Sequence, residues 1–488
     1  MNIPELSLHA NYDFIVQKFP NNHKQAMGAV FTSFSFIESM FYLFDERIFS
    51  CENYKWCDLG CGTGYFSVVL YYKLMNGLTA KIPDTHIRSK HILENMIYMV
   101  DIQEEYIDGL KALFGEQCHI YCHDALIWEP NIHFDAIIGN PPFHLNHIKQ
   151  VPTNHEEKNV FEKSKTIWPL FVKKGFQLLK DNGYMNMIVP SLWCKYDSYG
   201  VYDLLVPQLK KLKLYNNTQV NMLFHYQAQT PCSVFLAQKS FLLEEKKHKL
   251  YTFEHYDTIS NQMVPFSLYK NKQSIPMNAS NLCLRVFLMA QKYGSLEKHC
   301  VRSNMPSKKV SLHEEKNSMY FNKNIHSCIL EKRNGDNFPT LIYKYSNIPC
   351  VFHNKPKLVL AHKMYGFPYY DKKGEFGISN RDNYVIYDYD DGEFLLMQSF
   401  TSSLFFIFLL ECFKYRMKMI EPTIISYIPN IVNMNHQWKE ELTNTIEKND
   451  EFWFSYFSCT HEEKNHITSH FSKKYMRIPT LDKIMNNE

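Results

Sequence analysis

Short apolar segments alternate with amphipathic stretches through the first half of the chain, a pattern typical of a parallel sheet flanked by helices. The stretch from Lys163 to Leu179 has apolar residues at helical spacing, and Asp181-Asn182-Gly183 predicts the end of that helix. The predicted strands are Tyr54–Leu59, Ile97–Ile102, His119–Cys122, Phe134–Ile138, Tyr184–Val189 and Ser233–Ala237. The first half is therefore predicted to be an α/β domain of the kind common among nucleotide-binding folds.

The second half of the chain differs from the first in its pattern of apolar and charged residues. A chain of 488 residues is too long for a single hydrophobic core. The pattern changes at the charged run Glu244–Lys249, after which the segments are irregular, aromatic and rich in Lys and Asn. In this second half, a hairpin is predicted from two apolar segments, Lys357–Ala361 and Tyr384–Tyr387, on either side of a turn-rich centre. We therefore predict two domains, residues 1–243 and 244–488, the second of mixed α+β structure.

Composition excludes some classes of protein and leaves others open. Hydrophobic residues at 45% and charged residues at 21% predict a folded chain. A net charge of +3 neither requires nor excludes a nucleic-acid partner. The first 30 residues lack a cationic start followed by an apolar run, so no signal peptide is predicted. Thirteen cysteines without regular spacing suit reduced thiols, and a cytoplasmic protein is expected. The apolar run Leu404–Leu410 is shorter than the roughly 20 residues of a membrane span and predicts a buried helix.

A cluster of cysteines and histidines at Cys118–His123 has the composition of a metal site. It also has the alternation of a strand, which would place Cys118, Ile120 and Cys122 on one face and the two histidines on the other. Zinc needs four converging ligands. The strand is the preferred interpretation, and no metal is expected.

The segment Asp58–Gly64 (DLGCGTG) follows a predicted strand and precedes a helix that begins near Tyr65. Glycines here let the backbone turn tightly and approach a ligand that a Cβ would exclude. The spacing Gly60-x-Gly62-x-Gly64 differs from the dinucleotide pattern G-x-G-x-x-G. A purely structural turn is the alternative.

This segment resembles the first motif of the S-adenosyl-L-methionine methyltransferases, which implies a Rossmann-like fold and that cofactor, with Asp58 near its methionine part. Asp101 ends the next strand, where a carboxylate can accept both ribose hydroxyls, and Ile102 would press on the adenine. The long separation predicts an insertion around residues 77–91. By resemblance, Asp124 would accept from the adenine amino group. A solvated strand-end aspartate and a loop cap are the respective alternatives for Asp101 and Asp124.

The segment Phe134–Phe143 runs from an apolar strand into Asn140-Pro141-Pro142-Phe143. The proline rings fix the backbone and remove amide donors, so the Asn140 side-chain oxygen and the Pro141 carbonyl are presented as acceptors. Two acceptors that bind both hydrogens of a conjugated amino group favour a tetrahedral nitrogen with its lone pair directed at a methyl donor. Phe143 offers a face for stacking a planar base. The motif predicts methylation of a planar amino or amide nitrogen.

This motif resembles that of the amino-methylating DNA methyltransferases, in the adenine-specific form of restriction-modification enzymes with a C-terminal target recognition domain. Met27–Thr32 is similar to the family's N-terminal motif, which implies that Thr32 holds the cofactor's carboxylate, although Ser33 stands where a proline is usual. Further resemblances are Gly183–Trp193, Phe224–Ala237 at an antiparallel edge hairpin, Lys357–Asn380 and Tyr427-Ile428-Pro429.

The implied function is transfer of a methyl group to the exocyclic amino group of an adenine flipped out of double-stranded DNA. Candidate phosphate contacts are Lys210, Lys211, Lys213, Lys308, Lys309, Lys372 and Lys373, although charge runs are usually solvated surface. An RNA or protein-glutamine methyltransferase and a catalytically inactive DNA-binding protein are the alternatives. The second half lacks a clear nuclease cluster, so a fused nuclease is not predicted, and whether a cognate restriction endonuclease exists is left open.

Overall fold

A nine-stranded, mostly parallel sheet organises the N-terminal part of the chain. The computed structural model describes residues 32–144, 166–197, 200–224, 228–240, 250–268, 273–278, 280–333, 336–361, 366–381, 383–415, 420–434 and 446–471. The strands are β1 (Trp56–Leu59), β2 (Ile97–Asp101), β3 (His119–Cys122), β4 (Phe134–Gly139), β5 (Leu179–Pro190), β6 (Leu209–Tyr215), β7 (Cys232–Gln238), β8 (Tyr251–Asp257) and β9 (Gln262–Leu268).

The order of the strands is β3-β2-β1-β4-β5-β7-β6-β8-β9. Strands β3, β2, β1, β4 and β5 pair in parallel, whereas β7 is antiparallel to both β5 and β6. Strands β6 and β7 form an antiparallel pair, as predicted for this end of the sheet, but the hairpin does not lie within residues 224–237: β7 overlaps that segment, whereas its partner β6 already ends at Tyr215. Strands β8 and β9 continue the sheet beyond this pair. The predicted fold class, a Rossmann-like α/β domain with a mostly parallel sheet, is confirmed.

Helices cover this sheet and bury its apolar side chains. They are α1 (Phe34–Phe41), α2 (Tyr65–Gly77), α3 (Thr85–Asn95), α4 (Glu104–Phe114), α5 (Trp168–Leu178), α6 (Tyr202–Leu205) and α7 (Asn217–Leu223). Helix α3 accounts for the predicted insertion between β1 and β2, and Asp84 caps it by accepting a hydrogen bond from the amide of Ile87 at 2.8 Å. The core is rich in aromatic rings, with Phe49 stacked on the fully buried Trp56 at a centroid distance of 5.4 Å.

The end of the predicted helix at Lys163–Leu179 needs a correction. Helix α5 begins at Trp168, with a proline in its first turn, and ends at Leu178; residues 163–165 lie outside the described residues. Residues 181–183 do not close the helix but lie within β5, where Asn182 has φ +64°. Strand β5 pairs with β4 already at Leu179, and the register shifts before Tyr184. The turn residues therefore form an irregularity inside a strand.

The C-terminal part contains two four-stranded sheets and five helices among its described residues. The strands are β10 (Cys300–Arg302), β11 (Leu312–His313), β12 (Asn322–Arg333), β13 (Asp336–Ser346), β14 (Lys357–Ala361), β15 (Tyr369–Asp371), β16 (Gly377–Ile378) and β17 (Asn383–Ile386). The helices are α8 (Asn281–Tyr293), α9 (Asp391–Thr401), α10 (Leu404–Glu411), α11 (Ile446–Tyr456) and α12 (His461–Phe471). The predicted mixed α+β structure is confirmed.

The sheets have the orders β10-β17-β14-β15 and β11-β13-β12-β16. Strands β14 and β17 pair antiparallel, which confirms the predicted hairpin of Lys357–Ala361 with the segment beginning at Tyr384. The apolar run Leu404–Leu410 forms the buried helix α10, as predicted. No single described helix is long and apolar enough to cross a bilayer; α9 and α10 together reach that length and composition but are bent by 66°.

The chain divides into two compact units. The N-terminal unit comprises residues 1–256, 262–275 and 415–417, and the C-terminal unit comprises residues 257–261, 276–414 and 418–488. Strands β8 and β9 thus continue the N-terminal sheet after the charged run at 244–249, which itself lies outside the described residues. The functional division into residues 1–243 and 244–488 stays a prediction.

Candidate active site

Three adjacent strands bring the sequence motifs to one edge of the N-terminal sheet. Strand β1 lies between β2 and β4, with Asp58 in register with Met99 and Ile138. The carboxyl ends of these strands lead directly into the glycine loop Asp58–Gly64, into Asp101 and into Asn140. In open α/β sheets, ligands bind at this edge where the strand order reverses, here between β1 and β4.

The glycine loop adopts a backbone that other residues rarely reach. Gly60, Gly62 and Gly64 have φ values of +78°, +52° and +80°. A Cβ at Gly64 would lie 2.5 Å from Leu110 Cδ2, whereas a Cβ at Gly62 would meet nothing within 4 Å. Gly64 therefore allows close packing of the loop against α4, whereas Gly62 borders open space.

Asp101 fastens this loop to β2. Its carboxylate accepts hydrogen bonds from the amide of Gly62 at 2.8 Å and from the amide of Gln103 at 3.0 Å. Burial raises the pKa of the Asp101 carboxyl, and the backbone hydrogen bonds oppose that rise. The side chain therefore does more than a solvated strand-end aspartate would, because it sets the position of Gly62.

Asp58 lies beneath the loop and is 1% exposed. Ser67 donates a hydrogen bond to its Oδ2 at 2.8 Å, and among the described residues its buried Oδ1 has no hydrogen-bond partner. A Cβ at Gly139 would lie 3.6 Å from that Oδ1, so the open acceptor faces the residue before Asn140. Burial raises the pKa of the Asp58 carboxyl to about 7.

The segment Asn140–Phe143 lies beside the glycine loop. A Cβ at Gly60 would lie 3.8 Å from Cδ of Pro142, so the second proline covers the first glycine. Pro141 is buried, and Phe143 is partly buried against the core of the N-terminal unit. The two sharpest motifs of the sequence, about 80 residues apart along the chain, therefore form one site.

Thr32 holds the Asn140 amide in a defined orientation. The Nδ2 of Asn140 donates to Oγ1 of Thr32 at 3.1 Å, and Thr32 is 4% exposed. The amide oxygen of Asn140 thus remains as an acceptor. The predicted contact of Thr32 with a cofactor carboxylate stays a prediction, and residues 27–31 of that motif lie outside the described residues. Ser33 accepts a hydrogen bond from the amide of Phe36 and caps α1, which explains a serine at this position.

Ile102 and Asp124 lie at the outer side of the site. The side chain of Ile102 is 64% exposed. An apolar side chain that packs on a planar ring of a ligand would be exposed in this way. The amide of His123 donates to the Asp101 carbonyl at 2.9 Å, which brings the start of the Asp124 loop beside Asp101. Asp124 Oδ1 accepts from the amide of Leu126 at 2.9 Å. That contact is the loop cap which the sequence left open as an alternative.

Three residues of the site carried no signal that singled them out in the sequence. The Ser67 hydroxyl donates a hydrogen bond to Asp58, and the backbone amide of Gln103 donates one to Asp101. Phe171 of α5 would lie 3.3 Å from a Cβ at Gly60. A polar residue in the otherwise apolar first turn of α2 is the one feature that could have drawn attention to Ser67. The contact of Phe171 with the loop follows only from the tertiary fold.

The segment at Cys118–His123 forms strand β3, as predicted from its alternation. His119 stacks on Tyr98 at a centroid distance of 4.0 Å, and its Nε2 contacts the Glu94 carbonyl at 2.8 Å. Across the described part of the chain, no three His, Cys, Asp or Glu side chains are placed to hold a metal ion.

Most of the candidate phosphate-binding lysines have partners within the protein. Lys211 pairs with Glu254 at 3.5 Å, and Lys213 lies over the ring of Tyr256 at 4.2 Å. Lys372 pairs with Asp391 at 2.8 Å, and Lys373 with Glu375 at 3.7 Å. Lys210 is exposed on β6, and Lys308 and Lys309 are exposed in the loop before β11.

Comparison with known proteins identifies this part of the chain. Residues 66–235 match the sequence profile of the Eco57I restriction-modification methylases. This segment is similar to an Eco57I-type restriction-modification methylase domain. The match begins directly after the glycine loop and includes β2, β4 and the segment Asn140–Phe143.

Two curated proteins similar to this chain are named as Type II methyltransferases. The chain is 26% identical over 102 residues to the Type II methyltransferase M.TthHB8I of Thermus thermophilus, which covers 19% of this chain and 24% of that relative. It is 26% identical over 116 residues to the Type II restriction enzyme and methyltransferase RM.Eco57I of Escherichia coli. That match covers 22% of this chain and 12% of that relative. The matches thus span a quarter or less of these relatives.

Solved structures that match this chain include two proteins of restriction systems. The type IIG restriction endonuclease BpuSI has a TM-score of 0.41 and 14% identity, over 88% of this chain and 64% of that chain. The M protein of the type I restriction enzyme EcoKI has a TM-score of 0.34 and 12% identity, over 49% of this chain and 50% of that chain.

Proposed function

We propose that this protein is a site-specific DNA methyltransferase that transfers a methyl group from S-adenosyl-L-methionine to the exocyclic amino group of a flipped-out adenine. The observation that carries the proposal is the position of Asn140-Pro141-Pro142 directly against the glycine loop. This position would bring the oxygen acceptors of Asn140 and Pro141 close to a cofactor bound at the glycine loop.

The residues of the site suit this cofactor. The open space at Gly62 admits a ligand against bare backbone, and the unpaired Oδ1 of Asp58, in the described part of the structure, is an acceptor in need of a donor. Asp101 and Ile102 would hold the ribose and adenine, Asp124 the adenine amino group, and Thr32 the carboxylate. When bound, S-adenosyl-L-methionine supplies a methyl group on a positively charged sulfur.

Asn140 and Pro141 would act on the substrate amino group as fixed acceptors. The hydrogen bond from Asn140 to Thr32 directs the amide oxygen away from Thr32 and fixes its position before substrate arrives. Two oxygens that bind the amino hydrogens favour a tetrahedral nitrogen and stabilise the positive charge that develops as it attacks the methyl group. The prolines keep these dipoles from reorienting during the reaction.

A target base inside a duplex cannot reach such a site, so the base must leave the stack, at a cost of a few kcal/mol. Phe143 would stack on the extruded base. Residues 244–488 would hold the distorted DNA as a target recognition domain. The names of the relatives favour DNA over the alternative substrates, RNA and the glutamine side chain of a protein. The names of the relatives are also compatible with a cognate restriction endonuclease as a partner.

Methyl transfer from labelled S-adenosyl-L-methionine to duplex DNA, RNA and a glutamine-containing release factor, assayed in parallel, tests the proposal. We expect label in the DNA, and 6-methyladenine after digestion to nucleosides. Label in RNA or protein alone would overturn the proposal. DNA binding without any transfer would favour the alternative of an inactive DNA-binding protein.

A further inference from the structure

We propose that one face of the C-terminal unit, formed by residues 302–323 and 344–355, is a contact surface for duplex DNA. This inference rests on the proposed function and assigns the DNA partner to particular residues. These two segments form the basic face of the unit.

Charge is concentrated in this part of the sequence. The two segments of the basic face, residues 302–323 and 344–355, contain seven Lys and Arg against two Asp and Glu, a net charge of +5, whereas the whole chain carries +3. The remainder of the chain is therefore slightly acidic. A concentrated positive face on an otherwise near-neutral protein is the distribution that a polyanion selects.

The strands bring the two segments of the basic face together at one end of β13. Leu312 of β11 and Asn322 of β12 both pair with Ser346, on either side of β13. The side chain of Asn347 accepts from the amide of Ser311 at 2.8 Å and donates to the Lys309 carbonyl at 3.5 Å. The loop that carries Lys308 and Lys309 is thus fixed beside the end of the sheet.

Lys308 and Lys309 are exposed, and no ion pair within the described ranges engages either of them. Lys372 and Lys373, an adjacent pair of exposed lysines in the described part of the same unit, form ion pairs with Asp391 and Glu375. The charge of Lys308 and Lys309 is therefore available to phosphates in a way that the charge of Lys372 and Lys373 is not.

The same face exposes apolar side chains that folding leaves uncovered. Among the described residues of the C-terminal unit, five of the seven exposed large hydrophobic side chains belong to the basic face: Met305, Met319, Phe321, Ile348 and Val351. Phe321 is 58% exposed and Met319 is 63% exposed, next to the stacked rings of His313 and Tyr320. Several exposed apolar side chains in neighbouring segments are a feature of interaction sites.

Duplex DNA is the partner that fits both features. Lysines bind its phosphates, and Phe and Met side chains are the groups that proteins insert between base steps when they bend a duplex. Such distortion would assist removal of the target base from the stack. The basic face therefore combines an electrostatic contact with an apolar one.

Binding of duplex DNA by the full chain, measured against salt concentration, tests the assignment. In Lys308→Ala/Lys309→Ala, we expect roughly ten- to thirtyfold weaker binding near 0.15 M salt and a salt dependence shallower by about two phosphate contacts. Phe321→Ser should weaken binding without changing the salt dependence. The matched variant Lys372→Ala/Lys373→Ala should bind as the parent does.

Methyl transfer in the same preparations separates this inference from the proposed function. If the parent protein methylates DNA but the Lys308/Lys309 variant has unchanged affinity and salt dependence, the basic face is not the DNA surface. If the parent methylates no DNA, the proposed function itself fails. Tighter binding of RNA through the same lysines, or a change in oligomeric mass without a change in DNA binding, would assign the face to another partner.

Discussion

Asn140 is the residue on which the proposed chemistry most depends. Its side chain is held by Thr32, so its removal should take away an acceptor without disturbing the fold. We expect Asn140→Ala to reduce the single-turnover methylation rate by about 100-fold or more, since loss of one oriented dipole in an active site costs roughly 3–4 kcal/mol. Cofactor and DNA affinities should stay near those of the parent. Asn76→Ala, on an exposed part of α2, is the control, and unchanged turnover in Asn140→Ala would remove Asn140 from the mechanism.

Thr32 should act as a positioning residue through the same hydrogen bond. Thr32→Val keeps the shape of the side chain but removes its oxygen, which leaves the Asn140 amide free to rotate. We expect kcat to fall roughly tenfold, the equivalent of about one hydrogen bond, and Thr32→Ser to restore it. If Thr32 instead only holds the cofactor, KM for S-adenosyl-L-methionine will rise while kcat stays constant.

Asp58 should make stability depend on pH. Its pKa is about 7 in the folded protein because of burial, against about 3.9 in an unfolded chain. Between these values the folded state retains a proton that the unfolded state has released. The stability that this carboxyl contributes is therefore complete below about pH 4 and is lost as pH rises through 7.

Chemical denaturation of the parent and of Asp58→Asn, compared at intervals from pH 4 to pH 8, measures this effect. The free energy of unfolding of the parent should fall relative to that of the variant by an amount on the order of a few kcal/mol. The exposed Asp108→Asn serves as the control. Parallel curves for the parent and Asp58→Asn would show that Asp58 titrates normally.

At the scale of elements, the glycines of the loop should separate into packing and ligand roles. Gly62→Ala and Gly64→Ala both place a Cβ at positive φ, at a cost of about 1 kcal/mol. Only Gly64→Ala also meets Leu110 and Phe114 of α4, at 2.5 and 3.2 Å. We expect its free energy of unfolding to fall by about 1–3 kcal/mol more than that of Gly62→Ala.

Cofactor binding should show the reverse order, because the Cβ at Gly62 points into open space that the ligand would fill. Calorimetric titration with S-adenosyl-L-methionine measures the affinity of each variant for the cofactor. The demethylated product of the cofactor, which cannot react, can be used as the ligand instead. Equal affinities for the parent and Gly62→Ala would mean that no ligand approaches this glycine.

The elements show which physical signals the sequence carries. Strands β1, β2 and β4 are largely buried and read as continuous apolar runs, and the partly exposed edge strand β3 shows alternation, so the positions of all four were predicted to within two residues. The start of β5 was missed because Asp181-Asn182-Gly183 has the chemistry of a turn, and pairing with β4 incorporates it into the strand. Strands β8 and β9 extend the sheet beyond the predicted pair because edge pairing depends on tertiary contacts.

The site shows the same distinction. Asp58, the glycines, Asp101 and Asn140 were found because strand ends, glycine spacing and prolines are local features. The bond between Asn140 and Thr32 joins positions 108 residues apart, and no local pattern reports it. Likewise, a lysine can bind a phosphate only if its charge is not already paired with a carboxylate of the protein. Those ion pairs form in the folded structure, and the sequence does not show them.

At the scale of the whole molecule, the two compact units should make separable contributions. Each contains its own buried tryptophan whose indole N–H donates to a serine: Trp193 to Ser233 at 2.8 Å in the N-terminal unit, and Trp453 to Ser399 at 3.0 Å in the C-terminal unit. Both tryptophans are fully buried. Substitution of either by alanine should cost about 3–5 kcal/mol in its own unit.

We therefore expect two calorimetric unfolding transitions in the parent. Trp453→Phe, and more strongly Trp453→Ala, should lower one transition and weaken DNA binding, while affinity for S-adenosyl-L-methionine is retained. Trp193→Phe and Trp193→Ala should lower the other transition and weaken cofactor binding. Domains with separate cores unfold independently unless a large interface couples them. A single transition that both substitutions shift equally would show that the two units fold as one cooperative body, and that loss of either function reports global unfolding.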